Sequence, residues 1–148
     1  MFNNFTPAML DLFASSLWET LIMVGISGLV GGLLGVPLGV FLRLTYDGGV
    51  LENGPVNKLV GWLVNAVRST PFIILLVAII PFTRLITGSS IGTWAAVVPL
   101  SLAAAPFIAR LVETALREVD NGLIEAAQAM GASTRQIVWK VLLPEALP

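Results

Sequence analysis

The sequence contains no cysteine and no histidine, and these two absences exclude many kinds of site at once. Without them the chain has no disulfide, no thiol nucleophile and no imidazole base, and it lacks the usual ligands of zinc and haem. We therefore predict no catalytic residue and no metal site in it. Charge is also scarce, because 11% of the 148 residues are charged and 56% are hydrophobic, whereas an ordinary soluble domain has about 25% charged residues. A lipid bilayer is the solvent that this composition favours.

The few charged residues leave two long uncharged stretches. No charge lies between Glu19 and Arg43, and none lies between Arg84 and Arg110. Each stretch is long enough to cross a membrane, since about 20 apolar residues span a hydrocarbon core of about 30 Å. No lysine or arginine precedes the first stretch, so the basic region of a signal peptide is missing and we expect this segment in the mature protein. The net charge of -1 without a basic run gives no support for a nucleic-acid partner.

Hydropathy and turn residues predict an all-α, polytopic transmembrane helix bundle. In this prediction residues 1–148 form a single domain, with spans at about 17–42, 61–82 and 91–112 and a cytoplasmic loop at 113–148. The first span contains pairs of glycines separated by three residues, a spacing that lets helix backbones approach closely in lipid. We expect these glycines to serve helix packing rather than substrate passage.

Two features inside the spans have both a structural and a functional interpretation. Arg68 lies near the start of the second span, where snorkelling to the headgroups is the simpler account and a functional arginine is the alternative. Pro99 and Pro106 lie in the third span and are expected to kink it. Kinks are common in membrane helices generally, so they say little about transport.

Basic residues predict the orientation of the spans, because cytoplasmic loops carry an excess of lysine and arginine. An amino terminus outside the cell leaves only Arg84 on the outer side. The other basic residues then lie at or near the cytoplasmic side, namely Arg43, Lys58, Arg68, Arg110, Arg117, Arg135 and Lys140. The opposite orientation would place this majority outside, so we predict a multi-pass membrane protein with its amino terminus outside.

The segment after the third span has the turn and cap residues of two short helices. Asp120 is a suitable N-cap for a helix over Asn121–Met130, and Gly131 stands where a left-handed residue closes a helix end. Ser133 caps a second helix, since a glutamine three residues later completes a capping box. We expect Pro144 to end this second helix.

At 100° per residue, one narrow stripe of the first short helix collects apolar side chains, and polar side chains lie on the other side. The stripe consists of Leu123, Ala126, Ala127 and Met130, and the other side carries Glu125 and Gln128. Small residues at the centre of the stripe allow a partner protein to come close. The alternative is a surface helix that lies against the bundle or the membrane.

From Glu125 to Pro144 the chain resembles the EAA signature of ABC importer permeases, written E-A-A, three residues, G, nine residues, I, any residue, L, P. All spacings agree, and the one departure is Val141, where isoleucine is usual. The resemblance implies that this loop contacts an ATPase subunit. The residues expected to couple the two subunits are Leu123, Glu125, Ala126, Ala127, Met130, Gly131, Arg135 and Pro144.

Three further stretches are similar to the methionine-importer permeases, namely residues 68–76, 81–84 and 104–110. This resemblance covers nearly the whole chain from Trp18 onward. It implies a permease homodimer in the lipid of the bacterial cytoplasmic (inner) membrane. It also implies two ATPase subunits on the cytoplasmic side and a substrate-binding lipoprotein that delivers methionine from outside.

The resemblance further implies a division of labour with the ATPase. The sequence contains no G-x-x-x-x-G-K-[ST] phosphate loop, so we expect ATP and Mg²⁺ in the partner subunit and no cofactor in this chain. The chain is predicted to be a transport subunit and not an enzyme, because its spans hold no acid pair, metal ligand set or activated nucleophile.

Members of that family have further spans after the EAA loop, so we expect the sequence to be a truncated permease. Two alternatives to methionine import stay open. One is a permease for another amino acid or small solute, since the EAA loop recognises the ATPase and not the cargo. The other is a membrane scaffold that transports nothing, which the missing spans make more reasonable.

Overall fold

The computed structural model describes residues 6–147, and within this range every regular element is helical, which confirms the predicted all-α class. Residues 1–5, to which the predicted outward position of the amino terminus refers, lie outside the described residues. The helices in chain order are α1 (Pro7–Thr45), α2 (Gly54–Ser69), α3 (Phe72–Ala78), α4 (Ile80–Thr87), α5 (Thr93–Arg117), α6 (Asn121–Ala129), α7 (Thr134–Ile137) and, after a π-helical turn at Val138–Leu142, α8 (Leu143–Ala146).

Three glycines of α1 lie so close to α5 that no side chain fits between the two backbones. Gly31, Gly35 and Gly39 are four residues apart and are buried on one face of the helix. A Cβ atom at Gly35 would lie 2.5 Å from the Ala105 carbonyl oxygen, and a Cβ atom at Gly39 would lie 2.5 Å from the Ala109 carbonyl oxygen. Helix packing, the role predicted for the glycines, is therefore confirmed for these three.

The order of the contacts shows that α1 and α5 run in the same direction. Ser27 donates a hydrogen bond of 3.5 Å to the Val97 carbonyl near the start of α5. Further along α1, Arg43 donates a hydrogen bond of 3.1 Å to the Leu116 carbonyl near the end of α5. Two parallel helices need a return segment between them. Residues 46–92 therefore travel back along the bundle in the opposite direction.

This return segment follows α5 from one end to the other, although it is not one straight helix. Arg110, in the second half of α5, donates a hydrogen bond of 2.9 Å to the Gly61 carbonyl of α2. Thr83 of α4 shares a cleft with Ala95, which lies near the start of α5. The axes of α2 and α3 differ by 105°. By length and apolar composition α1 and α5 can each cross a membrane, and α2 with α3 can do so as a bent third span.

The apolar run predicted as a span at 61–82 is broken twice, and proline explains the first break. Pro71 has no N–H, and it disfavours the helical conformation at Thr70, whose φ is -75° and ψ is 127°. The Thr70 hydroxyl donates a hydrogen bond of 2.8 Å to the Ala66 carbonyl and so caps the end of α2. The second break is at Ile79, where ψ is 0° and α3 gives way to α4.

Large apolar side chains cover the outside of α1, which is a continuous helix of 39 residues. Such a surface requires an apolar solvent or further protein around it. Its exposed members include Leu10, Leu12, Phe13, Leu17, Trp18, Leu21, Leu29, Leu33 and Leu34.

The carboxy-terminal helices pack against the ends of α1 and α5. A single apolar cluster joins them, and it contains Leu44 of α1, Leu116 of α5, Val119, Ile124, Ala127, Ile137 and Leu142. Because this cluster draws on four separate segments, the position of α6 is set by the packing of the two long helices.

Pro144 does not end the last helical segment, so that expectation from the sequence is wrong. α7 continues through the π-helical turn at Val138–Leu142 into α8, which ends at Ala146. In the wider turn the Leu143 N–H donates to the carbonyl five residues earlier instead of four. This extra residue separates the proline ring from the carbonyl with which it collides in a regular α-helix.

We predict that Gly35→Ala lowers the free energy of unfolding by about 1–3 kcal/mol, because overpacking a close helix contact forces the backbones apart. The new methyl group would overlap the Ala105 carbonyl oxygen and the Ile108 side chain. The measurement is the thermal unfolding midpoint of the purified protein in detergent. Gly28→Ala is the matched control, since a Cβ atom there meets no atom within 4 Å. Equal midpoints for the two variants would contradict the close contact.

Candidate functional site

α6 begins and ends with the caps that the sequence predicts. The Asp120 carboxylate accepts a hydrogen bond of 2.7 Å from a backbone N–H of the first turn. At the other end Gly131 has a φ of +78°, in the left-handed region that favours glycine. The Gly131 N–H donates to the Gln128 carbonyl at 2.9 Å, and the Ala132 N–H donates to the Ala127 carbonyl at 3.0 Å. These two bonds form a Schellman motif, which closes the helix.

The chain reverses at Gly131 and enters α7, whose start is also fixed by side-chain hydrogen bonds. The Ser133 hydroxyl accepts a bond of 3.4 Å from the Gln136 N–H, and the Ser133 N–H donates a bond of 2.8 Å to Gln136 Oε1. This reciprocal pair is the predicted capping box, which is confirmed. Caps on both sides of the turn hold α6 and α7 at a defined angle before any partner binds.

One face of α6 belongs to the core of the chain itself. Ile124 and Ala127 have 7% and 5% of their surface exposed, and they belong to the same apolar cluster as Ile137 and Leu142. Ala127 is therefore not available to another protein, although it belongs to the stripe predicted to receive one. The predicted stripe omits Ile124, so its centre lies to one side of the buried face and only Ala127 falls on that face.

The rest of the stripe forms an exposed apolar surface, which we call the outer face of α6. Leu123 is 44% exposed and Met130 is 80% exposed. Ala126, which lies between them on the helix, is exposed as well. A small residue between two larger apolar ones leaves a shallow depression that can accept a side chain from a partner. Three of the four stripe residues thus stay together on a surface open to another protein.

The other predicted coupling residues flank this face. The side chains of Glu125 and Arg135 are exposed and make no hydrogen bond or ion pair within residues 6–147, and Pro144 is exposed on α8. Trp139, which sequence analysis did not select, is 65% exposed and lines a cleft with Arg135 and Lys140. A tryptophan beside a lysine in an otherwise apolar π-helical turn is the signal that could have identified it, since aromatic residues are enriched at protein interfaces.

A buried carboxylate on α5 holds the arginine that joins α5 to α2. Glu113 is 2% exposed and forms ion pairs with Arg110 and, at 2.6 Å, with Arg117. Arg110 also donates to the Gly61 carbonyl at 2.9 Å and to the Asn65 side chain at 3.1 Å. Two guanidinium groups compensate the burial of this carboxylate, and loss of either one would leave a buried charge short of a partner.

Arg43 connects the end of α1 to the first residue of α6. Arg43 is buried, with 5% of its surface exposed. Its Nε donates to the Leu116 carbonyl at 3.1 Å, and its Nη2 donates to Asn121 Oδ1 at 2.9 Å. The guanidinium is planar and rigid, so these two bonds fix the start of α6 relative to the ends of α1 and α5. Arg117 lies over the Tyr46 ring at 4.1 Å from its centroid and completes this junction.

In the sequence, these arginines indicate only the orientation of the spans. Arg43 and Asn121 are 78 residues apart, and no local pattern brings them together. Only the parallel packing of α1 and α5 carries Arg43 to the start of α6. The resulting site is a capped helix pair with an exposed outer face, fixed to two long apolar helices through a buried polar junction.

Comparison with known proteins identifies the family. Residues 35–148, which include α2 to α8 and the end of α1, match the family model described as the binding-protein-dependent transport system inner membrane component. The chain belongs to this family. The match includes the whole segment from Glu125 to Pro144, so the resemblance to importer permeases is confirmed.

Curated relatives have more specific names. The chain is 59% identical over 138 residues to the probable D-methionine transport system permease protein MetI of Vibrio cholerae, which covers 93% of this chain and 61% of the relative. It is 56% identical over 140 residues to the D-methionine transport system permease protein MetI of Escherichia coli strain K12, which covers 95% of this chain and 64% of the relative. The chain thus spans less than two thirds of the length of these relatives.

Solved structures show the same fold. A structure described as an inward facing conformation of the MetNI methionine ABC transporter matches with a TM-score of 0.94 and 54% identity, over 97% of this chain and 67% of that chain. An amino acid ABC transporter with histidines matches with a TM-score of 0.57 and 19% identity, over 97% of this chain and 66% of that chain. The second likeness concerns the fold alone.

We predict that Arg43→Met raises amide hydrogen exchange in α6 about tenfold to a hundredfold, because the removal of two hydrogen bonds costs about 1–3 kcal/mol of local stability. The measurement is hydrogen exchange of the peptide that contains Asn121–Ala129, followed by mass spectrometry. Lys58→Met is the control, since Lys58 is exposed and makes no hydrogen bond or ion pair in the described part of the chain. Unchanged exchange of α6 in Arg43→Met would contradict the junction.

Proposed function

We propose that this chain belongs to the membrane-spanning permease subunit of an ATP-driven ABC importer for methionine. The observation that carries the proposal is the EAA segment, folded as a capped helix pair with an exposed outer face at one end of two parallel apolar helices. Membership of the inner-membrane component family supports a transport role. The names of relatives at 59% and 56% identity support methionine as the cargo. The proposal concerns the complete permease, of which these residues are a part.

In this proposal a separate ATPase subunit binds and hydrolyses ATP with Mg²⁺, and this chain performs no hydrolysis. The complex contains two permease copies and two ATPase copies within the inner membrane, and an extracytoplasmic lipoprotein delivers the amino acid. The similarity to a structure named as the MetNI methionine ABC transporter supports the ABC assembly. Membrane lipid surrounds the apolar surface of α1.

The ATPase contacts the outer face of α6, and its movement displaces this helix. The hydrogen bonds of Arg43 to Leu116 and Asn121 transmit the displacement to α1 and α5. α6 is fixed to α1 and α5 by the apolar cluster on its buried face and by Arg43 at its first residue. A displacement of α6 therefore moves the ends of both long helices together. This physical continuity is what a coupling element requires.

The amino terminus lies outside the cell in this proposal, so that α6 is on the cytoplasmic side with ATP. The excess of basic residues at one end of the bundle supports this orientation. That end carries Arg43, Lys58, Arg110, Arg117, Arg135 and Lys140, whereas Arg84 lies in the segment that precedes α5.

Methionine import tests the proposal directly. Cells that lack other methionine uptake routes should regain growth on limiting methionine, and should take up radiolabelled methionine, when they receive the full-length gene with its ATPase and lipoprotein partners. The control is the same set with the phosphate-loop lysine of the ATPase replaced, which should abolish uptake because phosphate binding is lost. Rescue on a different amino acid alone would discard methionine as the cargo. Failure to import any amino acid would favour a scaffold.

A bulky side chain on the outer face of α6 tests the coupling role. We predict that Ala126→Trp weakens ATPase binding at least about fivefold, since overpacking at a close contact costs about 1–3 kcal/mol. The measurement is co-purification of the ATPase, together with ATP hydrolysis by the full-length complex. Ala127→Trp is unsuitable for this purpose, because Ala127 lies in the core and the variant would unfold the segment itself.

Gln128→Trp is the matched control, since Gln128 is exposed and lies about 160° around the helix from Ala126. It adds the same bulk away from the outer face and should leave ATPase binding within about twofold of the unmodified complex. If Ala126→Trp retained full ATPase binding and hydrolysis, α6 would be a surface helix and the coupling role would be withdrawn.

A further inference from the structure

A cleft of about 490 Å³ lies between the bend of the return segment and the middle of α5. Ala104, which lines it, is close to the midpoint of α5, so the cleft is near mid-depth if α5 spans the membrane. Bent or interrupted helices at mid-depth form the substrate sites of many secondary transporters. The lining residues used below are Arg68, Thr70, Phe72, Leu75 and Phe107.

Arg68 brings the only charge among the residues that line this cleft, and that charge has no partner. The Arg68 side chain makes no hydrogen bond or ion pair within residues 6–147, whereas the side chains of Arg43, Arg110 and Arg117 are all bonded to neighbouring groups. Arg68 also belongs to the stretch 68–76, which is similar to methionine-importer permeases and takes no part in the outer face of α6.

Snorkelling does not account for Arg68 at this depth. Arg110 of α5 is hydrogen-bonded to the Gly61 carbonyl of α2. Arg68 lies seven positions after Gly61, and the end of α5 lies seven positions after Arg110. Since these helices run in opposite directions, Arg68 lies about 20 Å along the bundle from the end of α5. An arginine side chain that is directed back toward that end covers only part of this distance. A cation held so far inside a membrane requires a counter-ion.

The walls of the cleft define the rest of the ligand. Phe72 and Phe107 are 42% and 52% exposed and present aromatic surface to the same cleft as Arg68, and Leu75 adds an aliphatic wall. The Thr70 hydroxyl and N–H both donate to the Ala66 carbonyl, at 2.8 Å and 3.1 Å, so the bend next to Arg68 is held in place. A ligand with one carboxylate and a compact apolar body fits this arrangement of groups.

We infer that Arg68 binds the α-carboxylate of the transported amino acid, and that Phe72, Leu75 and Phe107 contact its apolar side chain during passage. The planar guanidinium pairs with a carboxylate through two parallel hydrogen bonds, which orient the amino acid as well as attract it. The inference rests on the proposed function, because it assigns a transit site for the same substrate.

Transport kinetics provide the first test. The full-length permease, its ATPase and the lipoprotein are reconstituted in liposomes, and uptake of radiolabelled methionine is measured per inserted permease. Arg68→Gln should lower the kcat/KM of uptake about tenfold to a hundredfold, since a charge-assisted pair is lost. The kcat/KM of Arg68→Lys should lie between those of the unmodified permease and Arg68→Gln, because the charge is kept and the planar fork is lost. Arg84→Gln is the matched control and should stay within about twofold, because Arg84 donates to Ser90 outside the cleft.

A photoreactive probe provides the second test, in the same complex. A diazirine analogue of methionine that retains its carboxylate should label peptides with residues 67–75 and 103–107. Excess methionine should compete with this labelling, whereas methioninol, which lacks the carboxylate, should compete at least about tenfold less well. Arg68→Gln should abolish the difference between the two competitors, and Arg84→Gln should preserve it.

Each outcome supports or overturns one statement. No methionine uptake by the unmodified complex would refute the proposed function, and the transit site with it. Uptake by that complex together with an unchanged kcat/KM in Arg68→Gln would refute the transit site alone. The site would also be refuted if Arg68→Gln reduced only the amount of inserted permease. Lower uptake with an unchanged preference for methionine over methioninol would show that Arg68 pairs with a protein carboxylate instead.

Discussion

The contact between the backbones of α1 and α5 is the constraint on which the rest of the structure depends. Gly31, Gly35 and Gly39 allow the two helices to approach until an added Cβ would collide with α5. Lipid provides little hydrophobic driving force between apolar helices, so close packing of this kind holds them together. In this contact the two helices run parallel, and their register brings Arg43 to Leu116 and Asn121. Every later element is arranged around that pair.

The direction of α1 and α5 also explains the shape of the segment between them. A return segment must pass back along α5, yet proline at position 71 prevents a single straight helix there. The bend of 105° exposes Arg68 and two aromatic residues to one cleft instead of burying them in a regular helix surface. Arg110, which is paired with Glu113, is hydrogen-bonded to Gly61 of α2 and so holds α2 against α5. The bend therefore has a fixed position along the bundle.

The sequence predicts the local features well and the distant contacts poorly. The all-α class, the cap at Asp120, the left-handed Gly131 and the capping box at Ser133 each depend on a few neighbouring residues. The sequence does not reveal the partners of Arg43 and Arg110, because Asn121 and Gly61 lie on other helices. The apolar pattern of α6 does not show which side of the helix packs against the rest of the chain. It therefore predicts Ala127 at the surface, whereas Ala127 lies in the core. The stop expected at Pro144 failed for a local reason, since a π-helical turn accommodates the ring.

The apolar cluster beneath α6 has a consequence for the order in which the protein is assembled. Leu44 belongs to the first long helix and Ile137 to the last segment, so the cluster cannot form until both long helices are in place and aligned. During synthesis the chain emerges from its amino terminus, and a short isolated helix such as α6 is marginal in water without tertiary packing. The outer face of α6 therefore forms only after α1 and α5 have paired correctly. A chain with mispaired helices lacks this surface, so under the proposed function it could not bind the ATPase and would stay out of the complex.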